Sequence, residues 1–201
     1  MWSDAARSPM EREEPGALVL VVGPSGAGKD FLMQLARERL ADDTDVVFAR
    51  RVVTRPSGPS EDHDTLTPDA FAAARSSGAF CLSWSANGLD YGLPSRLAEE
   101  LALGRTVVAN GSRAAVPEAR RRFPRVVCVL VTAPADVLAA RLATRRRAEN
   151  IDARLIRGAT VDMGSPADAV IDNVGSPEDG AACLVGIIQN VRSQTPKELR
   201  A

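Results

Sequence analysis

The chain is 201 residues long, 45% hydrophobic and 25% charged, with a formal net charge of −1. These values fit a single globular domain with a proper core, and the near-neutral charge argues against bulk nucleic acid or a membrane surface as a partner. No apolar run approaches the roughly 20 residues of a membrane span and Met1 to Glu14 has no signal-peptide core, so a cytoplasmic location is expected.

Residues 1–16 and 193–201 read as flexible tails around a domain spanning 17–192. The first element is the apolar run Leu18-Val19-Leu20-Val21-Val22, a buried strand. It feeds directly into Gly23-Pro24-Ser25-Gly26-Ala27-Gly28-Lys29-Asp30. Strand, glycine-rich turn and following helix are the context in which a phosphate-binding loop works. The three glycines let successive backbone N–H groups point inward at an anion, and Lys29 reaches the β- and γ-phosphates as a mobile point charge. The loop's usual last residue is Ser or Thr, whose hydroxyl holds Mg²⁺; here it is Asp30. Phe31, Leu32, Leu35 and Leu40 are expected to form the inward face of the helix that follows. This loop implies a bound nucleoside triphosphate, with Gly23, Pro24, Ser25, Gly26, Ala27, Gly28, Lys29 and Asp30 around it.

Val46 to Ala49 reads as a short strand, and Ser57 to Ser60 as irregular chain. Thr67-Pro68 caps a helix to about Ser77 that Gly78 ends, and Ala79 to Ser85 is extended. Pro94 opens another helix with Leu97 and Leu101 inward, closed by Gly104. Thr106 to Ala109 and Val126 to Val131 are continuous apolar runs, as parallel strands buried on both faces require. Pro134 starts a helix through Arg141, Ala169 to Ile171 is the last strand, and Pro177 to Asn190 the closing helix. Cys81, Cys128 and Cys183 are far apart in apolar stretches and read as buried thiols. The fold class is α/β: a P-loop kinase core with a parallel sheet flanked by helices, an inserted acceptor-binding region at about 51–93 and an arginine-rich lid at about 141–157.

Two further clusters carry chemistry. Arg141, Arg145, Arg146, Arg147, Arg154 and Arg157 suit a lid that closes over transferring phosphates, because guanidinium forks match phosphate oxygens. Arg51, Arg55, Glu61, Asp62 and His63 surround the irregular segment, which places His63 in a polar loop as a candidate acceptor contact.

Gly-Pro-Ser-Gly-Ala-Gly-Lys, Thr-Arg-Pro, Tyr-Gly-Leu-Pro, Arg141-Leu142 with Arg145 four residues on, Ile-Asp-Ala-Arg-Leu and Val-Ile-Asp-Asn occur in the order seen in guanylate kinase. The resemblance covers residues 17–190. It implies that Arg55 and Tyr91 touch the acceptor phosphate, that His63 stands where guanylate kinase has a phosphate-binding tyrosine, and that Arg141, Arg145 and Arg154 act from the lid. Two departures stand out. Leu82 falls where guanylate kinase reads guanine with a glutamate, and Asn110-Gly111-Ser112-Arg113 replaces its Asp-x-Asp. A guanine edge facing leucine loses a charged acceptor, costing on the order of 1.5–3 kcal/mol or more.

The fuller set, with Gly-Ala-Gly-Lys-Asp, Glu-Asp-His and Asn-x-Ser-Arg, resembles the ribose 1,5-bisphosphate phosphokinases of phosphonate catabolism. That resemblance implies transfer of the ATP γ-phosphoryl group to ribose 1,5-bisphosphate, giving 5-phosphoribosyl 1-diphosphate. A sugar with no base needs no base-reading glutamate, and two phosphates call for extra cations, which Arg51 and Arg113 supply. The expected site is then Lys29, Arg141, Arg145 and Arg154 for transfer, Arg51, Arg55, His63, Tyr91 and Arg113 for the acceptor, and Asp30 for Mg²⁺, directly or through water. A nucleoside monophosphate kinase with altered base choice is the enzymatic alternative; a catalytically silent interaction domain is the alternative from another class. Oligomeric state, including a homodimer, is open at this stage.

Overall fold

The computed structural model describes residues 14–56, 62–145 and 166–193. Its elements run β1 (Leu18–Val22), α1 (Lys29–Arg39), β2 (Val46–Phe48), β3 (Arg51–Val53), β4 (His63–Thr65), α2 (Pro68–Ser76), β5 (Phe80–Ala86), β6 (Leu89–Pro94) and α3 (Arg96–Ala102). They continue with β7 (Thr106–Asn110), α4 (Val116–Arg122), β8 (Val126–Thr132), α5 (Ala135–Arg145), β9 (Ala169–Asp172) and α6 (Pro177–Ser193).

Five strands form one parallel sheet in the order β2-β7-β1-β8-β9. β1 lies at its centre, and all five of its side chains are buried. Strand alternation sends them to opposite faces. Val19 and Val21 join Leu32, Ala36, Leu184 and Ile188 beneath α1 and α6. Leu18, Leu20 and Val22 join Leu97, Leu101, Val116 and Ala119 beneath α3 and α4. Full burial of each such side chain contributes about 1.5–3 kcal/mol as an upper estimate, which is why so apolar a strand takes the middle of the sheet.

Strands β4-β3-β6-β5 form a second sheet, antiparallel except for the β3–β4 pair. A hairpin joins β5 to β6 through Asn87 (φ 55°) and Gly88 (φ 75°). Two successive positive-φ residues match the right-handed twist of the flanking strands, so Asn-Gly is the natural turn. Thr67 caps α2, its Oγ1 accepting from the Ala70 amide at 3.3 Å, with Pro68 at the first helical position.

Several expectations need correction. Phe31 points outward at 48% exposure, and Met33 and Ala36 fill the inward face beside Leu32. Pro94 ends β6 instead of opening a helix, and α3 begins at Arg96. Cys128 is buried, but Cys81 is half-buried and Cys183 exposed. α4, β3, β4 and β6 have no counterpart in the sequence reading. Among the described residues, no helix is long and apolar enough to cross a membrane. Residues 1–13 and 194–201 of the expected tails lie outside the described residues, as do 146–157 of the expected lid.

Candidate active site

The site lies at the carboxyl edge of the parallel sheet, where β1 hands the chain to its loop and the strand order reverses around it. Gly23, at φ 148°, passes so close to β8 that a Cβ there would stand 2.0 Å from the Val131 carbonyl oxygen. Gly26 and Gly28 also take positive φ, 86° and 89°. Gly28 is the N-cap of α1, so the loop ends on the first free amides of a helix, where the dipole favours an anion. The Lys29 ammonium curls back and donates to the carbonyls of Gly23 and Pro24, each at 2.9 Å.

Asp30 sits in the first turn of α1, and two groups meet it. Asn110, at the end of β7, donates from Nδ2 to Asp30 Oδ1 at 2.5 Å. Arg51, from the second sheet, brings Nη2 to 3.8 Å from the same oxygen. Arg51 lies 5.5 Å over the Tyr91 ring, which stacks on Trp84, so a cation–π contact steadies the guanidinium. Asn110 is buried, and its Oδ1 has no hydrogen-bond partner among the described residues.

Opposite, Arg141 projects from α5, and its Nη2 donates to the Asn173 carbonyl at 2.9 Å. Its Nη1 is buried with no hydrogen-bond partner among the described residues, and lies 4.0 Å from where a Gly28 Cβ would stand. A guanidinium N–H left unpaired beside a phosphate loop is a donor suited to a phosphate oxygen. Asn173, just past β9, donates from Nδ2 to the Ala27 carbonyl at 2.8 Å.

The structure thus gathers the loop, Lys29, Asp30, Arg51, Tyr91 and Arg141. Arg145 ends α5, and Arg146, Arg147, Arg154 and Arg157 lie outside the described residues. Arg55 follows β3, its carbonyl accepting from Thr65 Oγ1 at 3.1 Å. Arg113 lies in a short 3₁₀ turn after β7, where burial pulls its guanidinium down from the ordinary value. His63 is in β4 and 2% exposed, with Nδ1 3.1 Å from the Asp64 carbonyl, so it does not occupy the polar loop expected of it. Leu82 is fully buried in the core beneath α3. The sequence reading missed Asn110 and Asn173 as members of the site. Their signal was position, since each stands at the carboxyl end of a core strand.

A parallel sheet with a phosphate loop after its central strand, facing a smaller sheet that carries arginine toward that loop, defines a P-loop kinase of the guanylate-kinase type. The guanylate kinase of Anaplasma phagocytophilum has the same fold, with a TM-score of 0.68 at 18% identity over 91% of this chain and 89% of that one. No protein-family model matches the chain. It is 51% identical over 179 residues to the ribose 1,5-bisphosphate phosphokinase PhnN of Acidiphilium cryptum, covering 88% of this chain and 94% of the relative. With the PhnN of Rhodopseudomonas palustris it shares 49% over 180 residues, 90% of this chain and 92% of that protein. The chain belongs to the ribose 1,5-bisphosphate phosphokinase family.

Proposed function

We propose that the site transfers the γ-phosphoryl group of ATP to the 1-phosphate of ribose 1,5-bisphosphate in phosphonate catabolism, releasing ADP and 5-phosphoribosyl 1-diphosphate. The observation that supports this most is the approach of Arg51 to Asp30 at 3.8 Å, which brings a cation of the second sheet to the edge of the donor loop. A phosphate oxygen of the acceptor attacks the γ-phosphorus while the bond to the β–γ bridging oxygen breaks. The acceptor oxygen is already anionic near neutral pH, so positioning and charge neutralisation do the work and no strong general base is needed.

Gly23 to Lys29 hold the donor phosphates, and Arg141, Arg145 and Arg154 neutralise charge as it develops. Arg51, Arg55, Tyr91 and Arg113 bind the acceptor, within a region at about 51–93, and the lid spans about 141–157; the burial of His63 in β4 takes it out of that set. Asp30 is the group for Mg²⁺. Among the described residues no cluster of three or more His, Cys, Asp or Glu could hold a metal ion alone. Mg²⁺ keeps most of its waters and takes one or two carboxylates beside substrate phosphates, which a single carboxylate such as Asp30 satisfies. Bound there, it would neutralise the phosphoryl oxygens.

A silent interaction domain has no use for the loop lysine or for Arg141, and both are in place. The deciding experiment supplies ATP and Mg²⁺ with either ribose 1,5-bisphosphate or GMP and follows the products. Conversion of the sugar bisphosphate with negligible GMP turnover is expected; efficient GMP turnover would overturn the substrate while leaving the fold standing.

A further inference from the structure

Asn173 does two unrelated things at once. Its side-chain amide donates to the Ala27 carbonyl inside the phosphate loop, and its own carbonyl accepts from Arg141. Its backbone N–H donates to the Thr132 carbonyl at 2.8 Å, which pins it to the end of β8. It is 5% exposed and wedged between two glycines. A Cβ on Gly28 would come within 2.6 Å of its Nδ2, and one on Gly180 of α6 would meet Leu32 at 3.0 Å and the Asn173 Oδ1 at 3.1 Å. That Oδ1 has no hydrogen-bond partner among the described residues. A buried amide oxygen costs free energy that an apolar side chain of the same size would not, so packing alone does not account for an asparagine here.

We propose that Asn173 is a positioning residue of the donor site, setting the distance between the phosphate loop and Arg141. The amide fixes the loop at Ala27, one residue before the helix N-cap, and the carbonyl fixes the guanidinium whose Nη1 faces Gly28. Loop and arginine are then held by one residue on one rigid strand end, so the donor phosphates meet both in register without having to assemble them. Pre-organisation of this kind is lost steeply with displacement, about a hundredfold for 1 Å in favourable cases. Gly28 and Gly180 acquire a reason beyond backbone freedom, since each leaves the space in which the amide lies.

This inference rests on the loop and Arg141 being the ATP site. Its test measures ATP binding by calorimetry, steady-state kinetics with ATP and ribose 1,5-bisphosphate, and melting temperature. The unmodified protein is compared with Asn173→Ala and Gly180→Ala. The first removes the tie; the second keeps every polar group and crowds the Asn173 amide together with Leu32, so its effect on ATP binding is read beside its melting temperature. Both are expected to weaken ATP binding and raise the KM for ATP at least about tenfold, with a fall in kcat and an unchanged KM for the acceptor. A lower melting temperature with unchanged ATP binding and kcat in the folded variants would overturn the proposal and make Asn173 a structural residue only. If Asn173→Ala does not fold, Gly180→Ala decides by the same criteria. Failure of the unmodified protein to bind ATP would overturn this proposal together with the donor-site reading, whereas normal binding by both variants overturns this proposal alone.

Discussion

Asp30 puts a negative charge where the donor phosphates are expected, and such a residue is tolerable only if something compensates it. The helix N-terminus contributes about 0.3–1 kcal/mol, Asn110 holds one oxygen at 2.5 Å, and Arg51 stands 3.8 Å away. Asn110, at the end of β7, meets this carboxylate as a hydrogen-bond donor and adds no second negative charge beside it. We expect Asp30→Asn to raise the Mg²⁺ concentration for half-maximal activity about tenfold or more and to change the melting temperature little. Metal titration of activity, run beside thermal melts, reads both. An unaltered titration with a lower melting temperature would reduce Asp30 to a helix-start charge.

At the level of elements, the β5–β6 hairpin settles what Leu82 can do. Alternation turns Leu82 and Trp84 inward, 0% and 8% exposed, while Ser83 and Ser85 take the other face. Trp84 in turn backs Tyr91, which lies beneath Arg51, so this inward face supports the cation that meets Asp30. A glutamate at 82 would enter an apolar cluster with Leu93, Leu97 and Leu101, where its pKa would rise and it would protonate instead of reading a base. Leu82→Glu should therefore destabilise the fold by about 3 kcal/mol or more without creating guanylate kinase activity. Urea unfolding and a GMP assay check the two halves. A stable variant that phosphorylates GMP would show that this strand can turn its face to the acceptor.

Across the whole molecule the two sheets are tied near the site by charge. Arg37 of α1 meets Asp62 at 2.7 Å, and Arg50 reaches Asp62 at 3.2 Å and Asp64 at 2.9 Å. The Arg37 hydrogen bond holds the Asp62 carboxyl below the ordinary range, but these side chains are about half exposed, so each pair contributes little to stability. The titration that matters globally is in the core. Burial, with the Asp168 charge adding to it, pushes the Cys128 thiol up to about 11. A thiol with a raised pKa adds stability that is complete below its unfolded value and is lost as pH climbs through the folded one. Unfolding free energy should therefore fall by about 2–3 kcal/mol between about pH 9 and pH 11, and Cys128→Ala should flatten that limb. Denaturant melts across this range test it, and the same alkaline slope in the variant would refute it. Alkylating reagents should meet Cys183 first, since it is the exposed thiol.

The phosphate loop, the parallel core and the kinase family were all legible in the amino-acid sequence, because each depends on local order. An apolar run, three glycines and a lysine at fixed spacing determine strand, turn and helix start wherever they occur. The acceptor side was read less well. His63 gives no local sign that β4 will bury it beside β3, and Phe31 sits at a helical spacing that fits the core yet faces outward. The Asn87-Gly88 turn was available as a hairpin signal, but which face of the hairpin turns inward depends on the sheet it joins. The meeting of Asp30 with Asn110 and Arg51 is a tertiary fact, made by residues 80 and 21 positions apart in the chain. So is the double tie at Asn173, 146 residues from the loop it holds. Sequence alone determined which chemistry this chain is built around; only the packing of β7, β9 and the second sheet against α1 decided which side chains hold that chemistry in place, because contacts between distant segments exist only once the core has brought them together.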